Sequence, residues 1–287
     1  MQKHMRFYKR TKIVFLGVSL AAAGYAQAPT ITSFNPQLSA AGSPVYIAGT
    51  NFTGATSVTF DGKKAPFLVD SPESIIALVP LAASTGTVKV VTPSGTATTS
   101  QPYDIVSASW DALQGFSATA NPDGAWTLGS EPSLGGIFTP FTIEAACFTN
   151  GPCWFNGGTY PNAVAVALNT SPYTEQYLTI IVPDNMLYLA AEANVAVVRW
   201  TAPASGKYWI FGQFQGLDLN LPNVTVAIYE NQTTVLFTNS LTFFGDYQNF
   251  NVSGLTLKKG ATIDFVSTST DVSNDNVGLM ATVDQIK

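Results

Sequence analysis

The chemistry this sequence offers is that of aromatic rings beside amides and carboxylates. Two stretches carry the mix: Trp154-Phe155-Asn156-Gly157-Gly158-Thr159-Tyr160 and Phe243-Phe244-Gly245-Asp246-Tyr247-Gln248-Asn249. Flat rings stack on the apolar faces of sugars, while amides and carboxylates fix hydroxyl groups. The candidate ligand-binding residues are therefore Trp154, Asn156, Tyr160, Asp246 and Tyr247, with Trp126 at a third location. Each ring could equally be a packing aromatic. Trp200 and Trp209 lie inside a strand pattern and are expected in the core.

Other chemistries fail on inventory. The one histidine, His4, precedes everything that could fold, which removes Ser-His-Asp and Cys-His pairs and histidine metal sites. No Gly-x-Ser-x-Gly and no phosphate-cradling glycine loop is present. Paired carboxylates could still support glycoside hydrolysis, but Glu131, Glu144, Glu175, Glu192 and Glu230 are scattered and read as surface acids. Asp271, Asn274, Asp275 and Asn276 form an oxygen-rich loop that Asp284 could join, which suits a structural calcium ion or, alternatively, Asx-turn capping. No other cofactor is implied. Cys147 and Cys153 enclose Phe-Thr-Asn-Gly-Pro, a segment able to reverse the chain, and read as a small-loop disulfide in an oxidising compartment.

The compartment follows from the first residues. Lys3, Arg6, Lys9, Arg10 and Lys12 precede a short apolar run, Ile13 to Ala23, and a small-residue site ending at Ala26. This is a signal peptide, residues 1–26, too short in its apolar run to span a bilayer. Its removal leaves 8 basic against 18 acidic residues, a net charge near −10. Such a surface repels nucleic acid. No membrane span is expected in the mature chain, which should be secreted, periplasmic or displayed at the cell surface.

The elements that must position these residues are strands. Val45/Ile47, Val58/Phe60 and Val88/Val90 alternate with polar neighbours, and Gly or Pro punctuates the chain about every ten residues, which suggests a sandwich. Beyond residue 110 a hairpin is expected from Val195–Thr201 and Lys207–Phe211. Further strands are expected at Ala163–Leu168, Met186–Leu189, Val224–Tyr229, Thr234–Phe237, Phe250–Leu257, Thr262–Ser267 and Val277–Val283. Alanine-rich Tyr188 to Ala193 also suits a helical turn. The fold class is all-β: an immunoglobulin-like domain at 27–104, a linker at 105–109, and a larger sandwich at 110–287.

Five motifs in register make 29–104 resemble the IPT/TIG family: Pro29-Thr30-Ile31-Thr32-Ser33-Phe34-Asn35-Pro36, Val45-x-Ile47-x-Gly49-x-x-Phe52, Val58-x-Phe60-x-Gly62, Val79-Pro80 and Thr92-Pro93-x-Gly95. The resemblance implies a seven-stranded sandwich used as a spacer or interaction module, with no catalytic residues. Val198-Arg199-Trp200-Thr201-Ala202-Pro203 through Gly206-Lys207-Tyr208, together with Leu257-Lys258-x-Gly260-x-x-Ile263-Asp264-Phe265, is similar to galactose-binding-like jelly rolls of bacterial exported proteins. That resemblance implies a non-catalytic protein whose loops meet an extracellular glycan. A structural or adhesive role with a surface-protein partner, and a glycoside-processing enzyme, are the alternatives.

Overall fold

The computed structural model describes residues 27–157, 163–184, 186–192, 194–269 and 274–287. Every regular element among them is a strand. The expected leader, Tyr160 and Asp271 lie outside the described residues. No helix among the described residues is long and apolar enough to cross a membrane.

The first domain is two facing antiparallel sheets. One runs Thr30–Asn35, Pro44–Thr50, Ser74–Leu78, Phe67–Ser71; the other Lys63–Lys64, Ser57–Phe60, Val88–Thr92, Gly95–Thr98. Alternation sends Val45, Ile47, Ile75 and Ala77 inward from one, and Val58, Phe60, Val88 and Val90 from the other. Each buried valine, isoleucine or phenylalanine among them contributes about 1.5–3 kcal/mol. The glycine of Val-x-Ile-x-Gly-x-x-Phe has a steric reason. A β-carbon on Gly49 would collide with the Thr30 carbonyl oxygen and the ring of Phe52, so glycine lets both approach. Tyr103 closes the core with its hydroxyl 2.9 Å from Ser39 Oγ.

The expected linker at 105–109 is instead the middle of a strand, Asp104–Asp111. Its first residues pair in parallel with Leu38–Ala40 of the first domain, and its later ones pair antiparallel with the final strand, Asn276–Ile286. Lys287 N donates to Ile105 O (2.7 Å), Thr85 N donates to Lys287 O (3.1 Å) and Ile105 N donates to Thr85 Oγ1 (2.9 Å). Two backbone bonds and one to the Thr85 hydroxyl therefore form a closed circuit that joins the two domains.

The second domain packs a six-stranded against a nine-stranded sheet. The six-stranded order is Thr139–Pro140, Trp126–Glu131, Val195–Thr201, Thr262–Thr268, Val224–Glu230, Thr234–Leu241. In the other sheet Asn276–Ile286 is central. Gly206–Gly216 runs along one edge of it, with Tyr247–Leu257 beyond. Leu187–Ala190 and Asp104–Asp111 share its other edge. Trp200, Tyr208, Ile210, Phe214, Phe265 and Val283 fill the space between the sheets. Leu187–Ala190 is a strand despite its alanine-rich surroundings, because ladders on both edges and complete burial outweigh helix propensity. The residues from 143 to 155, which carried no strand signal, form a hairpin of Ile143–Phe148 with Gly151–Phe155.

Candidate functional site

The residues singled out in the sequence scatter. Cys147 and Cys153 are bonded, with Cα atoms 5.7 Å apart, and staple that hairpin across its turn. Trp154 therefore sits in a strand, 7% exposed, with its indole N–H donating to Ser117 O at 2.6 Å. Trp126 is 4% exposed and packs on Phe265. Both are core residues and neither offers a ring face to a ligand, a correction to the expected stacking role. The side-chain oxygen of Asn156 accepts from Thr142 N and Oγ1, and its amide donates to Pro140 O. It is a strut. Asp246 Oδ2 accepts from Thr242, four residues earlier, through both its N–H and its hydroxyl, while Tyr247 beside it stays 58% exposed.

The calcium set does not assemble. Asp275 is fully buried and accepts the N–H groups of Ala191 and Glu192, so it caps a turn. Asp284 lies nine residues further along nearly continuous strand, about 30 Å away at the usual rise, and bonds Ser109. The two cannot share an ion. No group of three or more metal-ligating side chains occurs among the described residues.

The structure instead reveals an open face on the nine-stranded sheet. Along Gly206–Gly216, Tyr208, Ile210 and Phe214 are buried while Trp209, Phe211, Gln213 and Gln215 alternate to the other side. Register sets their neighbours in rows. Phe211 lies between Asn251 and Thr282, and Thr282 is followed by Asp111. Gln213 lies between Asn249 and Met280, Gln215 beside Tyr247, and Trp209 beside Asp284, which is followed by Ser109. Side chains directly opposite stand about 5 Å apart. The indole N–H of Trp209 donates to Asn251 Oδ1 at 2.5 Å, which fixes the ring's orientation. Phe211 is 37% exposed. Burial raises the Asp284 carboxyl above its ordinary range, against the opposing Ser109 hydrogen bond. Trp209 was expected in the core; the error was to treat apolar residues on both faces of a strand as one core pattern. The missed signal is that strand's own alternation, Trp-x-Phe-x-Gln-x-Gln against Tyr-x-Ile-x-x-x-Phe.

The outward face of the six-stranded sheet is different. Arg199 clamps Asp264 through two bonds, Nε–Oδ1 at 2.6 Å and Nη2–Oδ2 at 2.9 Å, and lies 3.6 Å from Glu131. Glu131 accepts Gly135 N and the Gln232 amide, and the Arg199 guanidinium carbon sits 3.7 Å above the Phe138 ring. Burial pushes both carboxyls upward; Arg199 opposes this at Asp264, and Gln232 opposes it at Glu131. A shallow cleft of about 450 Å3 lies along this loop. Both acids are occupied in holding it down.

The motif residues, the Gly49–Phe52 packing and the facing sheets converge on one family. Residues 29–106 match the IPT/TIG domain. No curated protein matches the chain. Solved structures similar to it include SGBP-B from a complex xyloglucan utilization locus in Bacteroides uniformis, at 14% identity over 91% of this chain and 73% of that one, TM-score 0.36. A CBM36-1 domain of a multidomain xylanase from a Trinervitermes trinervoides hindgut metagenome is 13% identical over 41% and 86%, TM-score 0.25. An auxiliary nutrient binding protein from Bacteroides ovatus is 13% identical over 61% and 46%, TM-score 0.27. Likeness at this level leaves function to be argued from the residues that follow the IPT/TIG domain.

Proposed function

We propose that the chain is an exported, non-catalytic binding protein that holds a neutral glycan on the open face of its second sandwich. The carrying observation is Trp209 and Phe211 facing outward among Gln213, Asn249, Asn251 and Thr282. Rings supply apolar contact for sugar C–H faces, and amides and hydroxyls supply directional bonds. Lys207 is the one cation on the outward side of the Gly206–Gly216 strand, which disfavours phosphate or sulfate as the recognised group. The reading moves the site from the loops to the sheet. The non-enzymatic assignment is supported by the engagement of Glu131 and Asp264 with Arg199. The test is calorimetry of residues 27–287 against neutral polysaccharides. Binding to at least one, weakened about tenfold by Phe211→Ala as a loss near 1.4 kcal/mol, is expected. Absence of binding, or indifference to that substitution, overturns the reading.

One observation favours a protein partner as a second reading. Tyr46 and Leu68, 51% and 63% exposed, flank Ile76 across paired strands of the IPT/TIG domain and form an outward apolar row. Its test is whether Leu68→Asp abolishes attachment of the purified protein to whole cells while glycan binding persists.

A further inference from the structure

The IPT/TIG resemblance implies a spacer, yet this domain builds one wall of a cleft whose other wall is Trp209. The cleft has a volume of about 680 Å3, within the roughly 300–1,000 Å3 range of small-molecule sites. The first domain contributes Thr32 and Gln37 from one segment and Gln101 from another; the second contributes Trp209, Ser253 and Gly254. Asp104, on the strand shared by the domains, completes the lining.

We infer that this cleft is a second subsite for the glycan held on the open face, so that the ligand runs from one domain to the other. The inference rests on the reading just proposed. Three observations carry it beyond that reading. Trp209 belongs to both places: it lines the cleft and heads the row of outward residues that continues through Phe211 to Gln215. From Trp209 to Gln215 is about 20 Å of strand, so an extended ligand on the face arrives at the cleft. The walls match the face in chemistry. Thr32, Gln37, Gln101 and Ser253 are exposed and uncharged, and the carboxylate of Asp104 has Lys207 close enough to oppose the upward push that burial gives its pKa. A neutral, hydroxyl-rich chain fits both surfaces without a change of charge. Finally, the cleft is already formed. Its walls are joined by the parallel pairing of Asp104–Val106 with Leu38–Ala40 and by the Lys287, Ile105 and Thr85 circuit. Pre-organised walls reduce the ordering cost of binding.

The experiment is calorimetry of residues 27–287 with neutral oligosaccharides of increasing length from glucan, xylan and mannan series. It uses the unaltered protein, Gln37→Ala/Gln101→Ala and Phe211→Ala. Affinity should rise with length in the unaltered protein. The double substitution, at two exposed side chains that hold no strand pairing, should leave short oligosaccharides unaffected and weaken long ones about tenfold. Phe211→Ala should weaken both. If long and short ligands ignore the double substitution while Phe211→Ala still weakens them, the cleft is not a subsite and the face survives. If no oligosaccharide binds, or Phe211→Ala changes nothing, the face fails and the cleft with it.

Discussion

The second sandwich has two outward faces, and they use polar chemistry in opposite ways. On the six-stranded sheet, Glu131, Asp264 and Arg199 are largely enclosed, and the Gly135–Phe138 segment lies over them. On the nine-stranded sheet, neutral amides and hydroxyls stand open around two aromatic rings. Charges are costly to bury singly and bind strongly when paired and enclosed, so they serve to fasten a loop. Amides and hydroxyls are cheaper to leave exposed and can change partners, so they serve to meet a ligand. The contrast says which polar residues should matter for folding and which for binding.

The largest effect expected is on the enclosed face. Arg199→Ala leaves two buried carboxylates without their cation and should cost about 3–5 kcal/mol of stability in chemical denaturation. A loss below about 1 kcal/mol would show the cluster to be solvated and the contrast overstated. Next is the far edge of the nine-stranded sheet, where Cys147 and Cys153 staple the Ile143–Phe155 hairpin. Their joint replacement by Ser should cost about 2 kcal/mol for so short a loop, with affinity for glycan unchanged because the open rows lie elsewhere on the sheet. Phe211→Ala should show the converse pattern: stability within about 0.5 kcal/mol, as for an ordinary surface change, and the tenfold loss of affinity. A fall in stability comparable to that of Arg199→Ala would mean that Phe211 is a packing residue and the face is not open.

The IPT/TIG domain was legible because its motif positions are steric necessities, as Gly49 against Phe52 shows. The strands of the second domain were legible at Val195–Thr201, Thr262–Thr268 and Asn276–Ile286, but their partners were not: the expected hairpin of Val195–Thr201 with Lys207–Phe211 does not form, because the chain crosses between the facing sheets at that turn. The site was much less so. Trp154 and Trp126 stand out in the sequence as aromatics in apparent loops; the disulfide across the Ile143–Phe155 hairpin was legible from its two cysteines, but the pairing of Gly151–Phe155 with Ala165–Leu168 that makes Trp154 part of a sheet is a contact local pattern does not encode. Trp209 looks like a core residue in the sequence because one strand cannot reveal which of its apolar faces has a facing sheet. That is decided by Trp200 and Phe237 of the facing sheet, which pack against Tyr208 and Phe214 and leave Trp209 uncovered. The expected linker failed for a different reason: Val106-Ser107-Ala108-Ser109-Trp110 alternates as a strand should, but its place between two domains suggested a connector, and its partners on both sides lie far away in sequence.

The smallest expected effect tests the boundary between the two chemistries, at Asp284. It is a carboxylate on the open sheet, beside Trp209, yet only 5% exposed. Burial raises its folded-state pKa above the ordinary 3.8, and the Ser109 hydrogen bond opposes without reversing the shift. The folded protein therefore holds this proton more tightly than the unfolded chain. The resulting stability is complete below about pH 3.8 and is lost as pH rises through the folded-state pKa. Asp284→Asn keeps an acceptor for the Ser109 hydroxyl and removes the ionisation. The substituted protein should match the unaltered one at low pH and melt higher at neutral pH, with a flatter decline between them. Glu131 and Asp264 shift in the same direction, so some decline remains. A lower melting temperature for Asp284→Asn at neutral pH would mean that the anion itself is held by a partner. The open face would then contain a fastening charge of the kind that defines the enclosed one.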